Sequence, residues 1–144
     1  MRIAETLYGV TLTPELLSYV EAALWSSNDE STPAGGEPMD SNYSLSDLAP
    51  ETLQRMAKDV AEFQAANLAD IEAGCDRSGE HSVYEMAAHD FWLTRNGHGA
   101  GFWDGDWMDA DSDTPEARGE RLSEAARAFG QFDLYVGDDG QIYA

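Results

Sequence analysis

The carboxylate excess most restricts what this chain can fold into: 28 Asp and Glu stand against 8 Lys and Arg, a formal charge of -20 with a pI near 4.1. Self-repulsion on this scale opposes compaction, so the carboxylates must spread over the exterior while apolar burial outweighs them. The imbalance is also uneven along the chain. No basic residue lies between Arg2 and Arg55, whereas Glu5, Glu15, Glu21, Asp29, Glu30, Glu37, Asp40, Asp47 and Glu51 all do. A second basic-free stretch, from Asn96 to Ala117, holds Asp104, Asp106, Asp109, Asp111, Asp113 and Glu116. Against this repulsion stand a hydrophobic fraction of 42% and 4 Trp, 5 Phe and 6 Tyr, which argue for a folded body rather than a disordered chain. With 144 residues, no internal repeat and no long linker, the expectation is a single domain over 1–144.

The same charge excludes partners. Anionic lipid and nucleic acid are repelled, and no stretch approaches the ~18 consecutive apolar residues that a membrane span needs. The lone Cys75 cannot form an internal disulfide, and Met1 to Thr6 carries no long apolar run, so the expected compartment is a reducing cytosol. Solubility or a salt-rich habitat is the plainest explanation of the acidity. The other is a basic partner surface.

Periodicity places the elements. Thr13-Pro14-Glu15 reads as N-cap, N1 and N2, and Leu16, Leu17, Val20, Ala23 and Leu24 then share one face of a helix from Pro14 to Trp25. The Ser-, Asn-, Gly- and Pro-rich stretch from Ser26 to Asn42 (26–42) predicts an exposed, mobile loop. Pro50 opens the longest helix, with a stripe of Leu53, Met56, Ala57, Val60, Gln64, Asn67, Leu68 and Ile71 running to a cap at Gly74. A third helix is expected from Ser82 to Thr94, with Val83, Met86, Ala87 and Phe91 inward, and a short strand over Phe102 to Trp107. Thr114-Pro115-Glu116 opens a fourth, whose Leu122, Ala125, Ala126 and Phe129 face inward up to Gly130. Phe132, Leu134 and Val136 then alternate with Asp133 and Tyr135, and Asp138-Asp139-Gly140 turns the chain into Gln141-Ile142-Tyr143, a hairpin signal. The fold class is therefore α+β, with three to four helices and a small C-terminal antiparallel β element.

The densest chemistry lies between His89 and Asp104, a segment holding two His, one Arg, two Asp, four aromatics and three Gly. In a catalytic reading, His89 or His98 is a general base, Asp90 or Asp104 its orienter, and the glycine amides an anion nest. In a structural reading, Phe91, Trp92, Phe102 and Trp103 are core, the glycines allow a tight turn, and Arg95 pairs with a nearby carboxylate. The structural reading is favoured, because no nucleophile motif is present. Asp109, Asp111, Asp113 and Glu120 mimic positions 1, 3, 5 and 12 of a calcium loop, but Thr114 stands where the loop needs Gly and Pro115 starts a helix inside it. Cys75, His81, His89 and His98 lack the paired spacing of a zinc site, and the glycines of Asn96 to Gly101 lack the residues of a phosphate loop. No metal and no cofactor is expected.

The run His89-Asp90-Phe91-Trp92-Leu93-Thr94-Arg95-Asn96-Gly97-His98-Gly99-Ala100-Gly101-Phe102-Trp103-Asp104 resembles a family of small proteins encoded by tailed bacteriophages and related mobile elements. The Gly119-Glu120-Arg121-Leu122 segment and the ending Asp133 to Gly140 are similar to that family as well, so the likeness covers roughly the last two fifths of the chain. It implies a phage or prophage origin and a host bacterial cytoplasm, and carries over no activity and no catalytic residue.

Carboxylate spacing supplies the functional expectation. Residues two apart in an extended chain are separated by roughly 6.6 Å on one face, so Asp109, Asp111 and Asp113 form a row, with Asp104 and Asp106 before it. Glu116, Glu120 and Glu124 continue it at helical turns of about 5.4 Å. Such intervals are of the order of backbone phosphate spacing. The expected function is a phage-encoded, DNA-mimic-like inhibitor, of anti-restriction or anti-CRISPR type. It would occupy the basic nucleic-acid-binding groove of a host defence or DNA-processing protein, with these eight carboxylates as the partner-binding residues and no catalytic residue. The alternatives are a small enzyme built on His89 to Asp104 and an interaction module for a basic phage protein.

Overall fold

A computed structural model describes residues 6–29, 37–72, 82–97, 102 and 117–144, and these adopt an α+β fold. The described elements are strands β1 (Thr6–Leu7) and β2 (Val10–Thr11), helix α1 (Pro14–Ser26), strands β3 (Asn28–Asp29) and β4 (Glu37–Pro38), helices α2 (Pro50–Ala66), α3 (Leu68–Glu72), α4 (Val83–Arg95) and α5 (Ala117–Ala128), and strands β5 (Tyr135–Val136) and β6 (Ile142–Tyr143). Each strand pairs antiparallel with its sequence neighbour, giving three two-stranded ladders where the sequence pattern suggests one.

The helix signals operate as capping chemistry dictates. Thr13 Oγ1 accepts from Leu16 N at 3.1 Å with Pro14 at N1, and Ser82 with Glu85 closes a capping box at the start of α4. On α1 the buried residues are Leu16, Tyr19, Val20, Ala22, Ala23 and Leu24, while Leu17 points outward. On α2 they are Thr52, Leu53, Met56, Val60 and Phe63, so Phe63 replaces Gln64 on the inner stripe. The helix expected to run on to Gly74 instead breaks at Asn67, whose side chain turns back to donate to Phe63 O at 2.9 Å. Self-capping of this kind competes with helix continuation. The one-turn α3 that follows leaves Leu68 exposed and buries Ile71. Gly74, the expected strand over Phe102 to Trp107 beyond the buried Phe102, and the Thr114-Pro115 start of α5 lie outside the described residues.

The segment 26–42 is more structured at its ends than its composition suggests. Asn28 and Asp29 pair with Pro38 and Glu37, Met39 N donates to Ser27 O at 2.8 Å, and the Met39 side chain is fully buried. A lone Met, flexible enough to fill an irregular gap, anchors a stretch that is otherwise polar. At the N-terminus Tyr8 and Gly9, with φ of 55° and 78°, make a tight two-residue turn between β1 and β2.

α1 and α4 form the most extensive helix pair. Tyr19 lies tilted by 34° against Phe91 at 5.3 Å and meets Trp92 edge-on at 5.4 Å, Ser18 Oγ donates to Glu85 O, and Trp92 Nε1 donates to Ser26 Oγ at 2.7 Å. Phe63 from α2 lies parallel to Phe91 at 4.2 Å, and Phe129 abuts both rings edge-on at 6.2 and 5.0 Å. Leu122 and Ala126 of α5 are fully buried and Phe129 is half-buried against the same cluster. The whole C-terminal half of α4 is enclosed, from Ala87 to Arg95 with the exception of His89.

Arg95 sits at the centre with 4% of its surface exposed. Its Nε donates to Gly130 O, one terminal nitrogen to Tyr19 Oη and Asp59 Oδ2, and the other to Phe129 O, all within 3.1 Å. The two carbonyls belong to the end of α5, where backbone acceptors lack intrahelical donors and a cation is favoured. Gly130, at φ 78°, permits the left-handed turn there; open space surrounds its Cα, so the requirement is conformational rather than steric. Burial raises the Tyr19 phenol well above its ordinary pKa, and Arg95 partly opposes that shift.

The C-terminal hairpin pairs Tyr135 with Tyr143 and Val136 with Ile142, and Ala49 N donates to Ile142 O, fastening it to the start of α2. Phe132, Leu134 and Ile142 face the core while Tyr135 faces out, as the alternation predicts. Tyr143 Oη donates to Asp139 Oδ2 at 2.6 Å.

Two predictions follow from this geometry. Replacing Arg95 with Met leaves Asp59, Tyr19 Oη and two helix-end carbonyls without their donor, so urea unfolding should show a loss of about 3–5 kcal/mol. Arg95→Lys, one ammonium in place of a fork, should not restore it. The Tyr143 phenol is raised from 10.0 to about 12, first by its bond to the Asp139 carboxylate, and Asp139 is lowered below 3.8, first by the same bond. The proton is held more tightly when folded, so this contact stabilises fully below the ordinary tyrosine range and is lost as pH rises from about 10 to 12. On the acid side it is lost as pH falls through the depressed Asp139 range. Ultraviolet titration of Asp139→Asn should return one tyrosine from about 12 toward 10.

Candidate functional site

Of the eight carboxylates expected to bind a partner, Asp104, Asp106, Asp109, Asp111, Asp113 and Glu116 lie outside the described residues. Glu120 and Glu124 are exposed on α5, one turn apart, opposite the face that buries Leu122 and Ala126. Their positions rise about 6 Å along the helix axis. Between them Arg121 reaches across to Asp70 with two bonds of 2.9 and 2.6 Å, tying α5 to α3.

The described part of the His89 to Asp104 segment is engaged in supporting the fold. Asn96 donates to Trp92 O and accepts from Phe132 N, Thr94 Oγ1 accepts from Phe102 N, and Arg95 is enclosed as above. Phe91, Trp92 and Phe102 are buried, and the carboxylate partner of Arg95 is Asp59. Trp103, His98 and Asp104 lie outside the described residues. His89 keeps 45% of its side chain exposed, sets Nδ1 3.1 Å from Asp90 Oδ1, and stacks on the exposed ring of Trp25 at 6.5 Å. A cleft of about 250 Å³ opens nearby, lined by Ser27, Asn28, Trp92, Asn96 and Asp133 among others. The Trp92 indole N–H and the Asn96 amide on its wall are already bonded within the fold. Among the described residues no three His, Cys, Asp or Glu converge as metal ligands, and no helix is long and apolar enough to cross a membrane.

The feature that distinguishes the surface is the treatment of positive charge. Arg95 is buried against Asp59, Arg121 is held bidentately by Asp70, Arg55 lies over the Phe132 ring at 4.7 Å, and Lys58 faces Glu62 at 3.9 Å. Meanwhile Glu21, Asp40, Glu51, Glu120, Glu124, Asp133 and Asp138 are exposed on several separate elements. These cations have partners in the chain, although Lys58 and Arg121 keep 71% and 54% of their side chains exposed, and on the described exterior carboxylates outnumber cations.

Sequence reasoning singled out neither the exposure of Trp25 nor the stacking of the exposed Tyr135 on the half-buried Tyr143. For Tyr135 the signal was present, because the alternation of Phe132, Leu134 and Val136 turns it outward. For Trp25 there was none, since a helical Trp beside an apolar stripe reads as core. Compared with family models, curated proteins and solved structures, the chain matches none.

Because Glu120 and Glu124 touch no part of the core, the double change to Gln should leave unfolding free energy within about 0.5 kcal/mol of the parent chain. Urea denaturation checks this.

Proposed function

We propose that this chain is a phage-encoded acidic inhibitor that occupies the basic nucleic-acid-binding groove of a defence or DNA-processing protein in the host bacterial cytoplasm. The observation that carries this reading is the excess of exposed carboxylates: in a sequence of net charge -20, Arg95 is buried, Arg121, Arg55 and Lys58 lie against groups of their own chain, and carboxylates outnumber cations on the described exterior. A surface of one sign steers a partner of the opposite sign and repels nucleic acid, so the chain competes with DNA rather than binding it. Glu120 and Glu124 contribute to that surface, and the aspartates from Asp104 to Asp113 with Glu116 extend it in sequence. The phage origin rests on the resemblance of the His89 to Asp104 run. Support for an enzyme is weaker, because Thr94, Arg95 and Asn96 are bonded within the fold.

Attraction between carboxylates and a Lys/Arg groove should weaken steeply with salt, since the screening length falls from about 10 Å at 0.1 M to about 3 Å at 1 M. The test captures the partner from a bacterial lysate and adds labelled DNA to the purified complex. Displacement of DNA at 0.1 M salt that fades toward 1 M is expected. If the partner holds both together with unchanged DNA affinity, the inhibitor does not act by mimicry.

A further inference from the structure

We infer that the outer face of the C-terminal hairpin is a stacking platform for an arginine side chain of the partner, formed by the exposed Tyr135 ring backed by Tyr143, with carboxylates beside it. This rests on the basic-partner reading above and assigns part of that contact to residues outside the Asp104 to Glu124 stretch.

Tyr135 and Tyr143 are directly opposed across the β5–β6 ladder, their rings 5.9 Å apart and inclined by 26°. Tyr135 is 57% exposed, so an aromatic ring that the hairpin has no core to bury is held open to solvent. Tyr143 is fixed from two sides. Its hydroxyl is bonded to Asp139, and its ring lies so close to Gly137 that a Cβ there would meet it at 2.7 Å. The rings are thus presented by a rigid turn rather than by loose side chains, which lowers the entropy cost of ordering them on binding.

Carboxylates stand beside the rings. Asp133, two residues before Tyr135, is exposed, and it also lines the cleft beside Trp92. Asp138 is exposed in the turn, Asp139 is bonded to Tyr143, and Glu51 lies near enough to act on the Tyr143 phenol. The groups acting electrostatically on that phenol are Asp139, Glu51 and Tyr135, and none is a cation. Aromatic faces carry the negative end of a quadrupole, and a planar guanidinium can stack on a ring while its N–H groups reach carboxylates at the edge. An anion would be repelled, and a neutral aromatic ligand would leave the carboxylates unused. The chain's own arginines show the same preference: Arg55 sits over Phe132, and Arg95 lies 5.2–5.6 Å from the centres of Phe91, Phe129 and Phe132.

The test uses the full chain with an octa-arginine peptide as probe at 0.1 M salt, read by aromatic-ring NMR and by calorimetry. The ring resonances of Tyr135 and Tyr143 should shift on titration. Tyr135→Ala should weaken binding about two- to fivefold, the range for an exposed cation–π contact, while Tyr135→Phe should stay within about twofold of the parent. If the peptide binds but those resonances stay still and Tyr135→Ala binds as tightly as the parent, the platform is overturned and the basic-partner reading survives. If the peptide does not bind, both fall.

Discussion

The fold depends on one buried cation. Arg95 is the point at which α1, α2, α4 and the end of α5 meet, through Tyr19, Asp59 and the carbonyls of Phe129 and Gly130. Enclosing a guanidinium removes its hydration, a cost of several kcal/mol that only a well-formed set of acceptors offsets. Here the acceptors differ in kind: a carboxylate supplies charge, a phenol supplies a neutral oxygen, and two helix-end carbonyls supply the negative end of a dipole. Phe91, Phe129 and Phe132 surround the same group with ring faces. Four separate stretches of chain must be in place before Arg95 is satisfied, so this contact specifies their arrangement as well as contributing to stability.

The chain's electrostatics grow out of that arrangement. A protein with 8 basic residues and 28 acidic ones has few ways to soften its own repulsion. The described cations are set where each does most within the molecule: Arg95 inside, Arg121 between α3 and α5, Arg55 over a ring. The consequence is a described exterior on which carboxylates outnumber cations, and the proposed function rests on that surface rather than on a cleft. The cleft beside Trp92 differs, for its indole and amide groups already serve the fold.

Local signals in the sequence were read well where they are chemical. The Thr13-Pro14 cap, the outward Tyr135 and the turn at Gly130 each reflect a preference that a few neighbouring residues decide. Periodicity was less informative on α4, because a helix enclosed on nearly all sides through its second half has no polar face to define a stripe. It also misplaced Gln64 for Phe63 and carried α2 past Asn67, where a side-chain bond to the Phe63 carbonyl ends it. The paired strands at 28–29 and 37–38 had no legible pattern, being two residues each. Of the acidic site, only Glu120 and Glu124 fall within the described residues, where both are exposed as expected.

The sequence by itself determined the fold class, the starts of α1, α2 and α4, the inward and outward sides of the hairpin and the -20 charge, since each follows from composition or from residues within about one turn of each other. Only the tertiary structure decided that Arg95 would take Asp59, 36 residues away, and Tyr19, 76 residues away, as partners. Only it set Trp25 beside His89, and Glu51 near the hairpin of Tyr143. Those pairings depend on how whole helices pack against one another, and packing is set by the fit of many side chains at once, which no local window of sequence contains.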